Sequence, residues 1–131
     1  MNIPQFLNAK TFAVAGASSN REKFGNKVLR TYLQNNKTVY AVNPKEDVIE
    51  GIKSFGTVSE LPEEVESLSI VTPPSITEKI VAEAISKGIK NIWMQPGAES
   101  AEAIKLCETN HINVIAGGPC VLVELGFDPE K

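Results

Sequence analysis

The segment richest in chemistry is Gly16-Ala17-Ser18-Ser19-Asn20, followed by Arg21, Lys23 and Gly25. Small residues let backbone amides approach a phosphate, and a helix starting just after them adds partial positive charge. Ser18 and Ser19 supply hydroxyl donors. Arg21, Lys23 and Lys27 form a basic cluster in a chain whose formal net charge is -3. The combination suits a polyphosphate, and its bland counterpart is a solvated, lysine-rich first helical turn. No Gly-Lys-Ser/Thr occurs, so this is not a nucleoside triphosphatase loop. A nicotinamide or flavin site needs G-x-G-x-x-G and an acid closing the second strand. Here one glycine of three is in place, and the strand closes at Val42-Asn43-Pro44. NAD is disfavoured, while NADP stays open through Lys45 against a 2′-phosphate.

Groups for catalysis are few. His111 is the only histidine, and Cys107 and Cys120 are the only cysteines. A structural zinc site needs about four Cys or His ligands, so no metal site is expected. A disulfide framework is not expected either. Glu99 and Glu102 open a helix, where acids favour the positive end of the dipole, and no paired acid for general acid/base work accompanies them. Cys107 reads as core, His111 as a surface polar residue, and Trp93 as core rather than a stacking platform. No residue is assigned to catalysis. Cys120 is the single candidate, for thiol exchange or a mixed disulfide, against its reading as a small buried filler.

The length is 131 residues, one ordinary domain. Hydrophobic residues make up 42% and charged residues 22%, which excludes disorder. No apolar run approaches the ~18 residues of a membrane helix, and Met1 to Lys10 lacks the pattern of a secretory signal. The acidic balance argues against a nucleic-acid face. The cytosol is the expected compartment.

These residues need elements to hold them. Thr11–Ala15, Thr38–Val42, Ser67–Val71, Asn91–Met94 and Asn113–Ala116 are short apolar runs closed by Gly, Asn or Pro, and read as strands. Gly25–Asn35, Ser75–Lys87 and Ser100–Thr109 carry helical periodicity. For the second, Ser75 and Glu78 make a capping-box pair and Gly88 a stop. Met1–Asn8 reads as a short packing helix. Glu46–Pro62 holds a short apolar segment around Ile49 to Ile52 and yields no assignment beyond a brief helix near Leu61. Apolar strands alternating with amphipathic helices predict a single α/β domain over residues 1–131. Its fold class is a doubly wound, Rossmann-like, five-stranded parallel sheet flanked by helices, in strand order 3-2-1-4-5.

Ligands of such sheets bind at the carboxyl ends of the strands. Those ends read Gly16-Ala17-Ser18-Ser19, Asn43-Pro44-Lys45, Thr72-Pro73-Pro74, Gln95-Pro96-Gly97 and Gly117-Gly118-Pro119-Cys120. Each joins a conformationally special residue to a hydrogen-bonding or reactive one. The starts of the strands carry little Gly or Pro, so turn-making alone does not explain the asymmetry.

Val14-Ala15-Gly16-Ala17-Ser18-Ser19-Asn20, Lys23-Phe24-Gly25-Asn26-Lys27-Val28 and Val42-Asn43-Pro44 together resemble the small stand-alone CoA-binding proteins. Thr72-Pro73-Pro74 and Trp93-Met94-Gln95-Pro96-Gly97 fit the same family. The resemblance spans roughly Phe6 to Cys120. It extends, more distantly, to the N-terminal domain of the succinyl-CoA ligase alpha subunit and of ADP-forming acyl-CoA synthetases. It implies a CoA or acyl-CoA site. Gly16, Ala17, Ser18, Ser19 and the helix opening at Gly25 would hold the diphosphate, with Arg21 or Lys23 nearby. Asn43, Pro44 and Lys45 would border the 3′-phosphate. Thr72, Pro73 and Pro74 would flank the nucleotide or pantetheine, and Gln95, Pro96 and Gly97 would lie along the pantetheine arm. The phosphorylated histidine of the ligases belongs to a second domain, and His111 does not stand in for it.

The reading that follows is a CoA-binding module without catalysis of its own: a carrier, a sensor or the partner of a larger enzyme chain. The alternatives are an NADP-linked redox protein and an acyl-CoA enzyme using Cys120. Val121 to Phe127 is unusually apolar for a tail, and is expected to pack back on the sheet edge or to form a homodimer contact.

Overall fold

The computed structural model describes residues 1–131. Thr11–Ala15 forms β1, whose five residues are all buried because helices cover both faces of the sheet. Around it run α1 (Ile3–Leu7), α2 (Phe24–Gln34), β2 (Thr38–Val42), β3 (Val48–Ile49) and β4 (Ile52–Phe55). A 3-10 turn at Val58–Glu60 precedes β5 (Ser67–Ile70), α3 (Pro74–Lys87), β6 (Asn91–Met94), α4 (Ala101–Thr109) and β7 (Asn113–Ile115). No helix is long and apolar enough to cross a membrane.

The sheet has seven strands in the order β3-β4-β2-β1-β5-β6-β7, not the five expected. All neighbours are parallel except β3 and β4, which pair antiparallel with Ile49 opposite Ile52. The expected order 3-2-1-4-5 put Ser67–Val71 outside the second strand. Instead β5 pairs with β1, Phe12 opposite Ser67 and Ala15 opposite Ile70. The place beside β2 belongs to β4, with Ala41 opposite Ser54 and Val42 opposite Phe55. The sequence hides this strand because Ile52-Lys53-Ser54-Phe55 is only half-buried and carries no apolar run. Its strand state comes from tertiary pairing rather than local propensity.

Strand side chains alternate between two cores. Ala13, Ala15, Leu68, Ile70, Ile92 and Met94 face α3 and α4 with Val81, Ala84, Ala103 and Cys107. Phe12, Val14, Val39, Ala41 and Trp93 face α1 and α2 with Phe6, Val28, Leu29 and Tyr32. Trp93 is fully buried, edge-on to Phe6 at 5.3 Å between ring centroids. Helix α3 departs from expectation at its start. Its N-cap is Pro73, with no side-chain cap bond, and Ser75 lies inside the first turn. The expected capping box does not form, because Glu78 turns to α4 and accepts from Ser100 Oγ at 2.5 Å. The C-terminal end matches: Gly88 takes φ +87 and stops the helix.

The apolar tail folds back on the α2 side. Val121 is buried against Trp93 and Ile115, and a π-helical turn at Leu122–Gly126 packs on α2. Its register is fixed by buried polar contacts. Tyr32 Oη lies 2.6 Å from Ser69 Oγ, and Gln95 Nε2 donates to the same hydroxyl at 3.3 Å. Gln95 Oε1 accepts from Val121 N at 3.0 Å, and Trp93 Nε1 donates to Pro119 O at 3.0 Å. Tyr32→Phe leaves that cluster one partner short in a dry setting. We expect it to lower stability by about 1–2 kcal/mol in denaturant unfolding, with little loss if Ser69 needs no partner.

Candidate functional site

A cleft of about 680 Å³ opens at the carboxyl edge of the sheet, over the ends of β1, β2, β4 and β5. Its floor is set by backbone packing. Gly16 has φ +91, and a Cβ there would overlap the Val71 carbonyl oxygen beyond β5. At Gly25, the second residue of α2, a Cβ would overlap the Gly16 carbonyl oxygen. The two glycines let the loop after β1, the start of α2 and the end of β5 close on one another. The amides of Ala17, Ser18, Phe24 and Gly25 donate to no protein acceptor, the condition under which a loop and helix start hold an anion.

Side chains fix the loop from below. Asn43 Nδ2 donates to Ala17 O at 2.8 Å, and Asn43 Oδ1 accepts from Lys45 N at 2.8 Å. Glu46 Oε2 accepts from Ser19 N at 3.1 Å and from Asn43 Nδ2 at 3.3 Å. The hydrogen bond from Ser19, helped by the charge of Lys23, holds the Glu46 carboxyl below the usual carboxylate range.

Nine of the sequence-predicted residues line the cleft: Gly16, Ala17, Ser18, Lys23, Gly25, Asn43, Pro44, Lys45 and Thr72. Ser19 lies just outside, its amide taken by Glu46. Arg21 points away, in an ion pair with Glu50 at 3.2 Å. Pro73 and Pro74 serve as the N-cap and first residue of α3. Pro96 and Gly97 stand exposed past β6 and outside the cleft, and the Gln95 amide is occupied by Ser69 and Val121. Cys120 is half-buried beyond β7 and also lies outside. Cys107 is in the core, where burial first and Glu108 second push its thiol up to about 11. His111 is an exposed turn residue with φ +59 at the opposite edge.

Sequence reasoning missed one wall altogether. Gly56, Thr57 and Val58 enter from the end of β4, and Ile76, Lys79, Ile80 and Glu83 from one face of α3. The helical spacing of those four marks one face of α3 without distinguishing a core from an opening. Ile76 and Ile80 share the apolar face of α3, yet Ile76 is 40% exposed because it faces the opening. Lys79 brings to three the lysines on the cleft, each from a different element.

The chain belongs to the CoA binding domain family, which matches residues 10–126. It is 33% identical over 91 residues to the alpha subunit of ADP-forming acetate–CoA ligase II of Pyrococcus furiosus, covering 69% of this chain and 20% of that one. With ADP-forming acetate–CoA ligase I of Archaeoglobus fulgidus it shares 30% over 116 residues, 81% of this chain and 17% of the other. The chain therefore spans about a fifth of the length of these curated relatives. Among solved structures, a conserved hypothetical protein from Pyrococcus furiosus superposes with a TM-score of 0.83 at 38% identity, over 88% of this chain and 98% of its own. A hypothetical protein from Pyrococcus horikoshii gives 0.87 at 30% identity, over 92% and 84%.

Two tests follow from the geometry. Gly25→Ala must push α2 off the Gly16 carbonyl, so we expect a loss of about 1–3 kcal/mol in unfolding experiments; an unchanged midpoint would show that the loop and helix separate without cost. Glu46 is more acidic folded than unfolded. Its ionised form therefore adds stability above the ordinary carboxylate pKa, and that stability is lost as pH falls through the lowered value. A side-chain carboxyl titration by NMR should place Glu46 below the ordinary glutamate value, and Glu46→Gln should flatten the acid limb of the stability profile.

Proposed function

We propose that the cleft binds CoA or an acyl-CoA, and that the chain acts as a binding, carrier or sensor module without a catalytic group of its own. The observation that carries this reading is the charge on the cleft. Lys23, Lys45 and Lys79 converge on it from three elements, and none of them is in an ion pair; the one ion pair in the structure is Arg21–Glu50. Unpaired cations gathered in one concavity of an acidic protein favour a ligand with several negative charges. CoA supplies a diphosphate and a separate 3′-phosphate.

The diphosphate would sit on the free amides of Ala17, Ser18, Phe24 and Gly25 with Lys23 beside it, as backbone donors at a helix start allow. Lys45, held by Asn43 at the end of β2, would take the 3′-phosphate, where an NAD protein would carry an acid. Lys79 stands on the α3 wall and adds to the same field. Val58, Ile76 and Ile80 supply apolar surface for the base. The pantetheine arm would leave along the sheet edge toward Pro96 and Gly97, outside the enclosed part of the cleft. Family membership and the ADP-forming acetate–CoA ligase relatives support CoA over other polyphosphates. Two relatives are named as alpha subunits, which supports a partner chain as the route from binding to chemistry.

Calorimetric titration tests the assignment. CoA should bind saturably, and dephospho-CoA about tenfold more weakly for want of one charge-assisted contact. Lys45→Ala should weaken CoA by a similar factor and leave dephospho-CoA nearly unchanged. Equal binding of both ligands would remove the 3′-phosphate role from Lys45. Binding of NADP without CoA would replace this reading with the redox one.

A further inference from the structure

The turn Glu50-Gly51 joins β3 to β4, and both residues have positive φ, +52 and +76. Two consecutive left-handed residues make the tight hairpin turn whose first position favours Asn, Asp or Gly. Glu50 has none of their advantages there. A non-glycine residue held in that conformation is the kind of outlier from which a use can be inferred. Its side chain leaves the hairpin altogether. Oε2 accepts from Asn26 Nδ2 at 3.0 Å, and Oε1 accepts from Arg21 Nη1 at 3.2 Å.

Asn26 is fully buried near the start of α2. The same Nδ2 that meets Glu50 donates to Ser18 O at 2.8 Å, and Oδ1 accepts from Arg30 Nε at 2.7 Å. The orientation of this amide is dictated by its partners. A carboxylate and a carbonyl only accept, and a guanidinium only donates. One buried amide thus links the hairpin tip to the carbonyl of Ser18, a residue of the cleft loop.

We propose that Glu50 is a positioning residue for the anion-binding loop, acting through Asn26 to hold the Ser18 peptide so that its neighbouring amides face the cleft. Its ligand readout rests on the CoA reading above; its loop readout does not. Asparagine at this position suits the turn better, but its side chain is one methylene shorter and falls short of Asn26. Fit to the turn and service to the loop therefore oppose each other, which separates this role from plain stabilisation.

The experiment compares Glu50→Asn and Glu50→Gln with the parent chain by CoA titration, thermal unfolding and hydrogen exchange of the amides of residues 16–20 in the unliganded protein. Glu50→Asn should keep or raise the unfolding midpoint, speed exchange in the loop, and weaken CoA binding about tenfold, the scale of one hydrogen bond to a charged group. Glu50→Gln still offers Asn26 an acceptor and should stay within about threefold of the parent. Unchanged loop exchange in Glu50→Asn overturns the proposal, and so does a Glu50→Gln variant as impaired as Glu50→Asn. If the parent chain does not bind CoA, the CoA reading falls, and loop exchange alone decides the role of Glu50.

Discussion

Backbone against backbone is the constraint on which the site depends. The Gly16 peptide is wedged between the Val71 carbonyl on one side and the first turn of α2 on the other, and neither contact leaves room for a side chain. That wedge fixes where β1, β5 and α2 meet, and hence where the cleft opens. The amides of Ala17 and Ser18 beside it have no protein acceptor. The lysines are arranged around a feature that two glycines create.

Holding such a loop needs polar groups that do not compete for its amides. Asn43 and Asn26 take carbonyl oxygens, those of Ala17 and Ser18. Both leave the amides of Ala17, Ser18, Phe24 and Gly25 unpaired. Glu46 is the exception, binding the Ser19 amide at the outer rim of the cleft. The segment between β2 and β4 supplies Asn43, Glu46 and Glu50 together. Two of these supports, Glu46 and Glu50, lie in the stretch least legible in the sequence.

That illegibility has physical causes. Strands covered on both faces are apolar runs, so β1, β2, β5, β6 and β7 stand out from one sequence. Strand β4 lies near the sheet edge with Lys53 exposed, and its pairing with β2 is a long-range fact. Missing it put Ser67–Val71 outside β2 in the predicted order instead of on the far side of β1. The loop residues were readable because glycine at a close approach and lysine at a strand end are residue types with few substitutes. The α3 wall was not, because Ile76 and Ile80 have the same spacing whether they face a core or an opening. Arg21 and Gln95 show the converse: residue type suggested a ligand contact, and each is engaged with protein partners instead.

The central claim is that the loop amides at the start of α2 are the anion-binding part of a CoA site. Backbone amide shifts followed by NMR during addition of CoA test it most directly. The account predicts the largest changes at Ala17, Ser18, Phe24 and Gly25, smaller ones at Lys45 and Lys79, and none around His111. Changes centred on Gly117, Gly118 and Cys120, with Ala17 and Gly25 still, would contradict it.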